Sequence, residues 1–193
     1  MSQEPQDEYV SPRPPVALGC AFMVTVVVVL FIIGACVTTY LDSGANTGEM
    51  VLNDARAYAD GSFTYVGERN YFVVRLPDSS FVALSDLDAA NRATPERRCR
   101  VQAVPPEDPG NGALIEAYGR RISSQAGGWA LVFRETCNGA VYDAAGIRID
   151  RDGRNLDRFP ASVDPDGKLV VDVSERECSE RDGSSLARSV TCS

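Results

Sequence analysis

The sequence contains no histidine, and this absence excludes several classes of protein. Its 193 residues also include a single tryptophan and carry a net charge of −8 at pH 7. Without an imidazole there is no Ser-His-Asp or Cys-His nucleophile, no histidine-bound zinc or haem, and no histidine proton shuttle. The acidic balance repels phosphate backbones, and the 19 basic residues are scattered along the chain. We therefore expect no nucleic-acid partner.

The motifs of nucleotide binding and nucleophilic catalysis are also missing. Residues 110–112 (GNG) lack the third glycine of a dinucleotide fingerprint, and no nucleophile elbow is present. The acidic segments 150–153 (DRDG) and 164–167 (DPDG) lack the further oxygen ligands of a calcium loop, so we interpret both as turns. These gaps leave no catalytic residue to name, and we expect the chain by itself not to be an enzyme.

An uncharged apolar run covers residues 16–41. As a helix it would extend about 39 Å, enough to cross a bilayer core with some tilt. We predict one transmembrane helix at 16–41, in contact with membrane lipid, after a cytoplasmic tail at 1–15. A buried core helix is one alternative. A cleaved lipoprotein leader ending before Cys36 is another, although residues 1–15 carry more acids than bases, the reverse of a signal peptide.

Four cysteines follow the apolar run, at Cys99, Cys137, Cys178 and Cys192. An even number of cysteines suits an oxidising compartment, so we place the domain on the extracytoplasmic side of the cell membrane. Four cysteines permit three pairings, of which Cys99–Cys137 and Cys178–Cys192 are the local choice. Four reduced, buried thiols in a cytoplasmic domain are the alternative.

The remaining sequence alternates apolar and polar residues with a period of two, which predicts a mainly β domain. We expect a neck at 42–60, the domain at 61–175 with an insertion at about 103–128, and a C-terminal tail at 176–193. The expected strands are 63–66, 71–76, 81–84, 100–104, 114–118, 129–133, 146–150 and 169–173. No segment after the apolar run has convincing helical periodicity.

Three blocks in this domain resemble a Rieske iron–sulfur domain. Residues 65–85 are similar to the strands that lead into the first cluster loop of that family, and 158–173 are similar to its closing hairpin. The most specific block is 137–143 (CNGAVYD), which follows the family pattern Cys-His-Gly-Ser-x-Tyr-Asp. The resemblance implies a Rieske-like antiparallel β-sandwich preceded by the membrane helix.

In the Rieske family two loops each supply one Cys and one His to a [2Fe–2S] cluster. The ligand positions fall here on Asp88, Ala90, Glu135 and Asn138. The resemblance also implies that Cys99 and Cys137 are the pair that bridges the two loops in respiratory members. We therefore predict no cofactor and no metal, since the Cys and His ligands of the cluster are absent. A further hypothesis places Ca²⁺ or Mg²⁺ among the oxygens of Asp88, Glu135 and Asn138.

These features lead to three hypotheses for function. The first is a membrane-anchored Rieske-fold protein without a cluster that serves as a structural or docking subunit of a membrane complex. The resemblance implies a respiratory electron-transfer complex, with cytochrome subunits as neighbours and this chain as a non-catalytic subunit. The second is an electron carrier with unorthodox cluster ligands. The third is a ligand-binding or sensor domain tethered to the membrane.

Overall fold

The computed structural model describes residues 16–42 and 48–192, with side chains described for 23–37, 48–94 and 96–192. The chain divides into two units, residues 1–46 and 47–193. The tail predicted at 1–15 lies outside the described residues.

The first unit contains one long helix, α1, at Val16–Asp42. Its described side chains, residues 23–37, are all exposed, and they include Met23 and Phe31. Among the described residues, no helix is long and apolar enough to cross a membrane. Residues 16–22 and 38–41 of the predicted span have no described side chains, and the transmembrane helix at 16–41 stays a prediction.

The second unit is mainly β, as the sequence predicts, and all of its strand pairs are antiparallel. Between residues 48 and 192 the strands are β1 (Glu49–Asp54), β2 (Ser62–Val66), β3 (Tyr71–Arg75), β4 (Phe81–Ser85), β5 (Val101–Val104), β6 (Val132–Glu135), β7 (Val141–Asp143), β8 (Gly153–Arg154), β9 (Arg158–Phe159), β10 (Ala161–Val163), β11 (Lys168–Asp172), β12 (Ser179–Arg181) and β13 (Arg188–Ser189). Two short helices lie among them, α2 (Ala89–Arg92) and α3 (Asn111–Tyr118).

The strands form four small sheets. Their orders are β2-β3-β4-β9, β5-β6-β7, β1-β11-β10 and β13-β12-β8. The meander β2-β3-β4 is the one expected from the sequence, and the turn at 164–167 joins β10 to β11 as expected. In that turn the Lys168 N–H donates to Asp164 Oδ1 at 2.8 Å, and Gly167 has a φ of +81°.

Strand β3 is buried on both of its faces, which makes it the centre of the domain. Phe72 and Val74 belong to one hydrophobic cluster, and Tyr71 and Val73 belong to a second. Successive side chains of a strand point to opposite faces, so β3 separates two layers of core. The Phe72 ring packs on Phe133 of β6, with ring centroids 4.9 Å apart. The first cluster therefore fills the space between the β2-β3-β4-β9 and β5-β6-β7 sheets.

A third cluster lies on the other face of β6 and β7, where α3 covers it. Leu114, Ile115 and Tyr118 of the helix pack against this cluster, which contains Val132 and Val141. The prediction of a strand at 114–118 is therefore wrong. Apolar residues at i, i+1 and i+4 share one side of a helix but cannot share one face of a strand.

Two other predicted strands differ from the structure. The segment 129–133 begins as a loop after the turn at Gly127 and Gly128, and strand β6 starts only at Val132. The segment 146–150 runs beside β7 with a single β-bridge at Arg148. It does not form a regular strand, because the buried Asp143 carboxylate accepts the Ile147 N–H at 2.9 Å.

The folded domain extends beyond both predicted boundaries. Strand β1 lies inside the segment 42–60 that we expected to be a neck, and it pairs with β11 from Glu49 onward. Strands β12 and β13 lie inside the predicted tail at 176–193. Strands β12 and β13 have three and two residues and no buried side chain, so they show no apolar alternation from which they could be predicted.

Gly146 is required where the chain turns after β7. Its φ is +78°, and a Cβ at this position would lie 2.7 Å from Cδ2 of the fully buried Leu84. Gly146→Ala should lower the free energy of unfolding by about 2 kcal/mol, because the left-handed backbone and the core clash both oppose it. Denaturation of the full-length protein in guanidinium chloride measures the change.

Gly112→Ala is the matched control. Gly112 lies in α3 and a Cβ there meets nothing within 4 Å. Alanine should stabilise the helix by up to about 1 kcal/mol. Equal unfolding midpoints for the two variants would contradict the packing described around Gly146.

Candidate functional site

The candidate site consists of two loops that a disulfide joins. The first loop runs from the end of β4 at Ser85 to Arg100, and the second is the β6–β7 turn at 135–140. Cys99 of the first loop bonds to Cys137 of the second, with a Cα–Cα distance of 5.8 Å. A second disulfide joins Cys178 to Cys192. Both bonds are the pairings expected from the sequence.

The carboxylate of Glu135 organises the second loop. The side chain is fully buried, and both of its oxygens accept two hydrogen bonds. Oε1 accepts from the Cys137 N–H at 2.8 Å and from Asn91 Nδ2 at 2.9 Å. Oε2 accepts from the N–H groups of Asn138 and Gly139. One buried charge thus fixes the β6–β7 turn and attaches it to the first loop.

The hydrogen bonds to Glu135 outweigh its burial. Burial acts to raise the pKa of the carboxyl group, but the N–H donors of the turn and of Asn91 together hold the pKa below its ordinary value of 4.5. The charged form is therefore the form that the folded loop favours.

Asp88 has a different structural role, as the cap of a helix in the first loop. It is the N-cap of α2, where its Oδ1 accepts the Asn91 N–H at 2.8 Å. The side chain is buried, and this burial, together with the charge of Glu135, raises the pKa of Asp88 above its ordinary value. The two carboxylates of the site are thus shifted in opposite directions.

The two positions that would carry histidine in a Rieske domain hold no metal donor that points to a shared centre. Ala90 is exposed in α2 and has no donor side chain. Asn138 is exposed, and its Oδ1 accepts from Arg97 Nη2 at 3.1 Å.

The residues present do not fit a [2Fe–2S] cluster. A [2Fe–2S] cluster needs four thiolates, or two thiolates and two imidazoles in the Rieske type. Cys99, Glu135 and Cys137 are the one group of three potential ligands that the described part of the chain brings within 4.8 Å of one another. Both sulfurs of this group are bonded to each other, and both Glu135 oxygens are occupied by N–H donors.

This geometry does not favour the hypothesis of a Ca²⁺ or Mg²⁺ site either. The oxygens of Asp88, Glu135 and Asn138 each accept a hydrogen bond from within the two loops. Asp88 is not part of the group of clustered potential ligands. A hard cation would have to displace N–H donors from a buried carboxylate before it could bind.

The sequence analysis did not predict the ion pairs made by the arginines of the first loop. Arg100 Nη1 pairs with Asp86 Oδ1 at 2.7 Å, and Arg92 pairs with the fully buried Asp157. The Tyr65 hydroxyl donates to Asp86 at 2.9 Å. Burial and the Asp86 hydrogen bond raise the pKa of this hydroxyl.

The sequence did carry a signal for these pairs. Residues 97–100 read RRCR, and Arg92 lies five residues before them, so this part of an acidic chain is locally cationic. Its partners Asp86 and Asp157 are distant in sequence, and no spacing rule connects them.

No protein-family model matches the sequence, and neither a curated protein nor a solved structure matches it. The geometry of the two loops is therefore the basis for the functional argument.

The Cys99–Cys137 disulfide should contribute more to stability than Cys178–Cys192. The bonds span 38 and 14 residues, for which chain entropy gives about 4 and about 3 kcal/mol. We expect Cys99→Ser/Cys137→Ser to lower Tm by about 10 °C, and Cys178→Ser/Cys192→Ser to lower it less. Calorimetry of the full-length protein checks both, and a Tm shift within error for the first pair would show that the loops hold without their bond.

Glu135→Gln should destabilise the protein by about 3 kcal/mol at pH 7, because an amide NH₂ replaces an oxygen that accepts buried N–H groups. The folded pKa lies below 4.5, so the stabilisation is present above that pH and is lost as pH falls through the folded pKa. The difference between wild type and variant should therefore shrink below about pH 4. Urea denaturation between pH 3 and 8 measures it.

Asp88→Asn is the matched control for this carboxylate. Asparagine keeps the N-cap, and the raised pKa of Asp88 means that its charged form opposes folding as pH rises. The variant should be as stable as wild type at pH 7 or more so. A loss comparable to that of Glu135→Gln would contradict the different roles assigned to the two groups.

Proposed function

We propose that the chain is a membrane-anchored protein with a Rieske-type domain that carries no [2Fe–2S] cluster and serves as a docking subunit of a membrane complex. Glu135 is the observation that carries this proposal. At a position where the resembling family has a cluster cysteine, a carboxylate binds four N–H groups of the loops themselves. The loops are held together by protein atoms where a cofactor would otherwise hold them.

The membrane anchor is supported by α1. Every described side chain of this helix is exposed, and the apolar residues among them include Val27, Leu30, Phe31 and Ile32. An apolar surface of this extent in water is unfavourable, and a lipid bilayer is an environment that would bury it. With a lipid anchor, the disulfide-bonded domain would lie on the extracytoplasmic side of the cell membrane.

The docking role is supported by the exposed end of the two loops. Thr136 and Asn138 are exposed beside the disulfide, and the cationic Arg97 and Arg98 lie next to them in the first loop. The disulfide and the Glu135 hydrogen bonds fix this surface before a partner arrives. A preformed surface loses little conformational entropy on binding, so it suits a protein whose task is contact.

Iron and acid-labile sulfide analysis of the purified full-length protein tests the absence of a cluster. We expect substoichiometric iron, no visible absorbance and no rhombic EPR signal after reduction. Incubation with iron and sulfide under reducing conditions is the control for loss of cofactor during purification. A reduced rhombic signal in either preparation would favour the electron-carrier hypothesis.

Purification in mild detergent tests the docking role separately. Stoichiometric recovery of other membrane subunits, cytochromes among them, supports the proposal, and recovery of an isolated monomer supports a tethered sensor instead. Arg97→Glu should abolish co-purification because it reverses a charge at the exposed loop end. Arg56→Glu, on an exposed side chain outside the loops, is the matched control and should leave co-purification intact.

A further inference from the structure

A positively charged cavity of about 530 Å³ opens in the first loop beside the disulfide. Its lining residues are Leu87, Asn91, Arg92, Arg98, Cys99 and Arg100. Three of the six are arginines and none is acidic, although the chain has a net charge of −8. Arg98 also belongs to the exposed end of the two loops, so the cavity is part of the docking surface.

The fold uses two of these arginines to different extents. The guanidinium of Arg92 pairs with the fully buried Asp157, and its Nη2 donates to the Leu87 carbonyl at 3.3 Å. Arg92 is therefore engaged by the protein itself. Arg100 donates to Asp86 Oδ1 from Nη1 alone among the described residues, and its side chain is 45% exposed. A guanidinium carries five N–H groups, so the donors on Nε and Nη2 of Arg100 are open to a partner.

Arg98 carries the unpaired charge of the cavity. It is exposed, and within the described part of the chain no hydrogen bond or ion pair engages its side chain. Its φ is +49°, a left-handed conformation that glycine and asparagine adopt more readily than arginine. The backbone of the turn therefore gives no reason for an arginine here. What arginine adds is a guanidinium fork, which matches the two oxygens of a carboxylate.

The surroundings of the cavity resemble the centre of a protein–protein interface. Leu87 is partly exposed and, with Cys99, gives the cavity an apolar wall. Across the disulfide, Thr136 and Asn138 are exposed and uncharged. Protein interfaces typically have a polar rim around a centre in which arginine side chains contribute much of the binding energy. A protein surface with an acidic residue at its centre complements this arrangement in shape and charge.

We propose that the cavity receives the side chain of an Asp or Glu residue of the partner subunit. The carboxylate pairs with Arg98 and accepts hydrogen bonds from the open donors of Arg100, and Leu87 contacts its methylene groups. This inference rests on the docking role proposed above and specifies what the partner contributes. The occupant is an acidic side chain of a protein, and a lipid phosphate is an alternative that the experiment distinguishes.

Zero-length cross-linking of the complex purified in mild detergent tests this contact. Lys168 is the single lysine of the chain, so Arg98→Lys adds one amine in the cavity and keeps the charge. A carbodiimide activates a carboxylate, the amine displaces it to form an amide, and the reagent leaves as a urea. We expect mass spectrometry to find an amide between position 98 and an Asp or Glu of a co-purified subunit. Arg56→Lys, outside the loops, is the matched control and should give no such link.

Arg98→Asn tests the charge without strain on the turn, because asparagine tolerates the left-handed backbone. The variant should be as stable as wild type and should bind the co-purified subunits about tenfold more weakly. Size-exclusion chromatography of the complex at decreasing protein concentration measures the loss. Arg56→Asn should leave both stability and subunit binding unchanged.

The outcomes separate this inference from the docking role. Co-purified subunits without a link at position 98, a link only to a carboxylate of this chain such as Glu96, or unchanged subunit binding in Arg98→Asn would overturn the inference and leave the docking role in place. Release of the subunits by glycerol 3-phosphate, but not by glutarate at equal ionic strength, would assign the cavity to a lipid headgroup instead. Wild-type protein that brings down no subunit would overturn the docking role and this inference with it.

Discussion

The structure of the two loops depends on the Glu135 carboxylate. It is a buried charge, which is unfavourable by itself, and it persists because four N–H groups converge on it. Three of these donors are consecutive backbone amides of the β6–β7 turn, so the turn closes around the charge. The fourth comes from Asn91 in the other loop. Removal of the charge would leave donors on both loops without a partner, so the loops are stable only together.

The remainder of the domain positions this pair of loops. Strand β3 lies between two layers of core, and β6 leads directly into Glu135 after packing Phe133 against Phe72. The loop charge is therefore the last residue of a strand whose residues are buried except for Arg134. The ion pairs of Arg92 with Asp157 and of Arg100 with Asp86 attach the first loop to the same body. Core packing fixes the strands from which the two loops start. The ion pairs and the Glu135 hydrogen bonds fix the conformation of the loops themselves.

The sequence predicted strands best where apolar residues alternate over a long stretch. The meander β2-β3-β4 has that pattern, and both disulfides followed from the local pairing of four cysteines. Helix α3 was missed because its three packing residues lie in a segment too short to show a helical period. The roles of Asp88 and Glu135 could not be predicted either, because their hydrogen bonds are to backbone groups and to Asn91. Every residue except proline has a backbone N–H, so the residue types do not indicate which of these groups act as donors.

The two sulfurs of the loop bond differ in accessibility, and this difference has a chemical consequence. Cys99 is 2% exposed, whereas Cys137 is exposed. An external thiolate must approach the bond in line, so attack at the sulfur of the more accessible residue, Cys137, with Cys99 as the leaving group, is favoured. The expelled thiolate stays inside the protein, close to the mixed disulfide. It is then well placed to attack back, which returns the reagent to solution and reseals the loops.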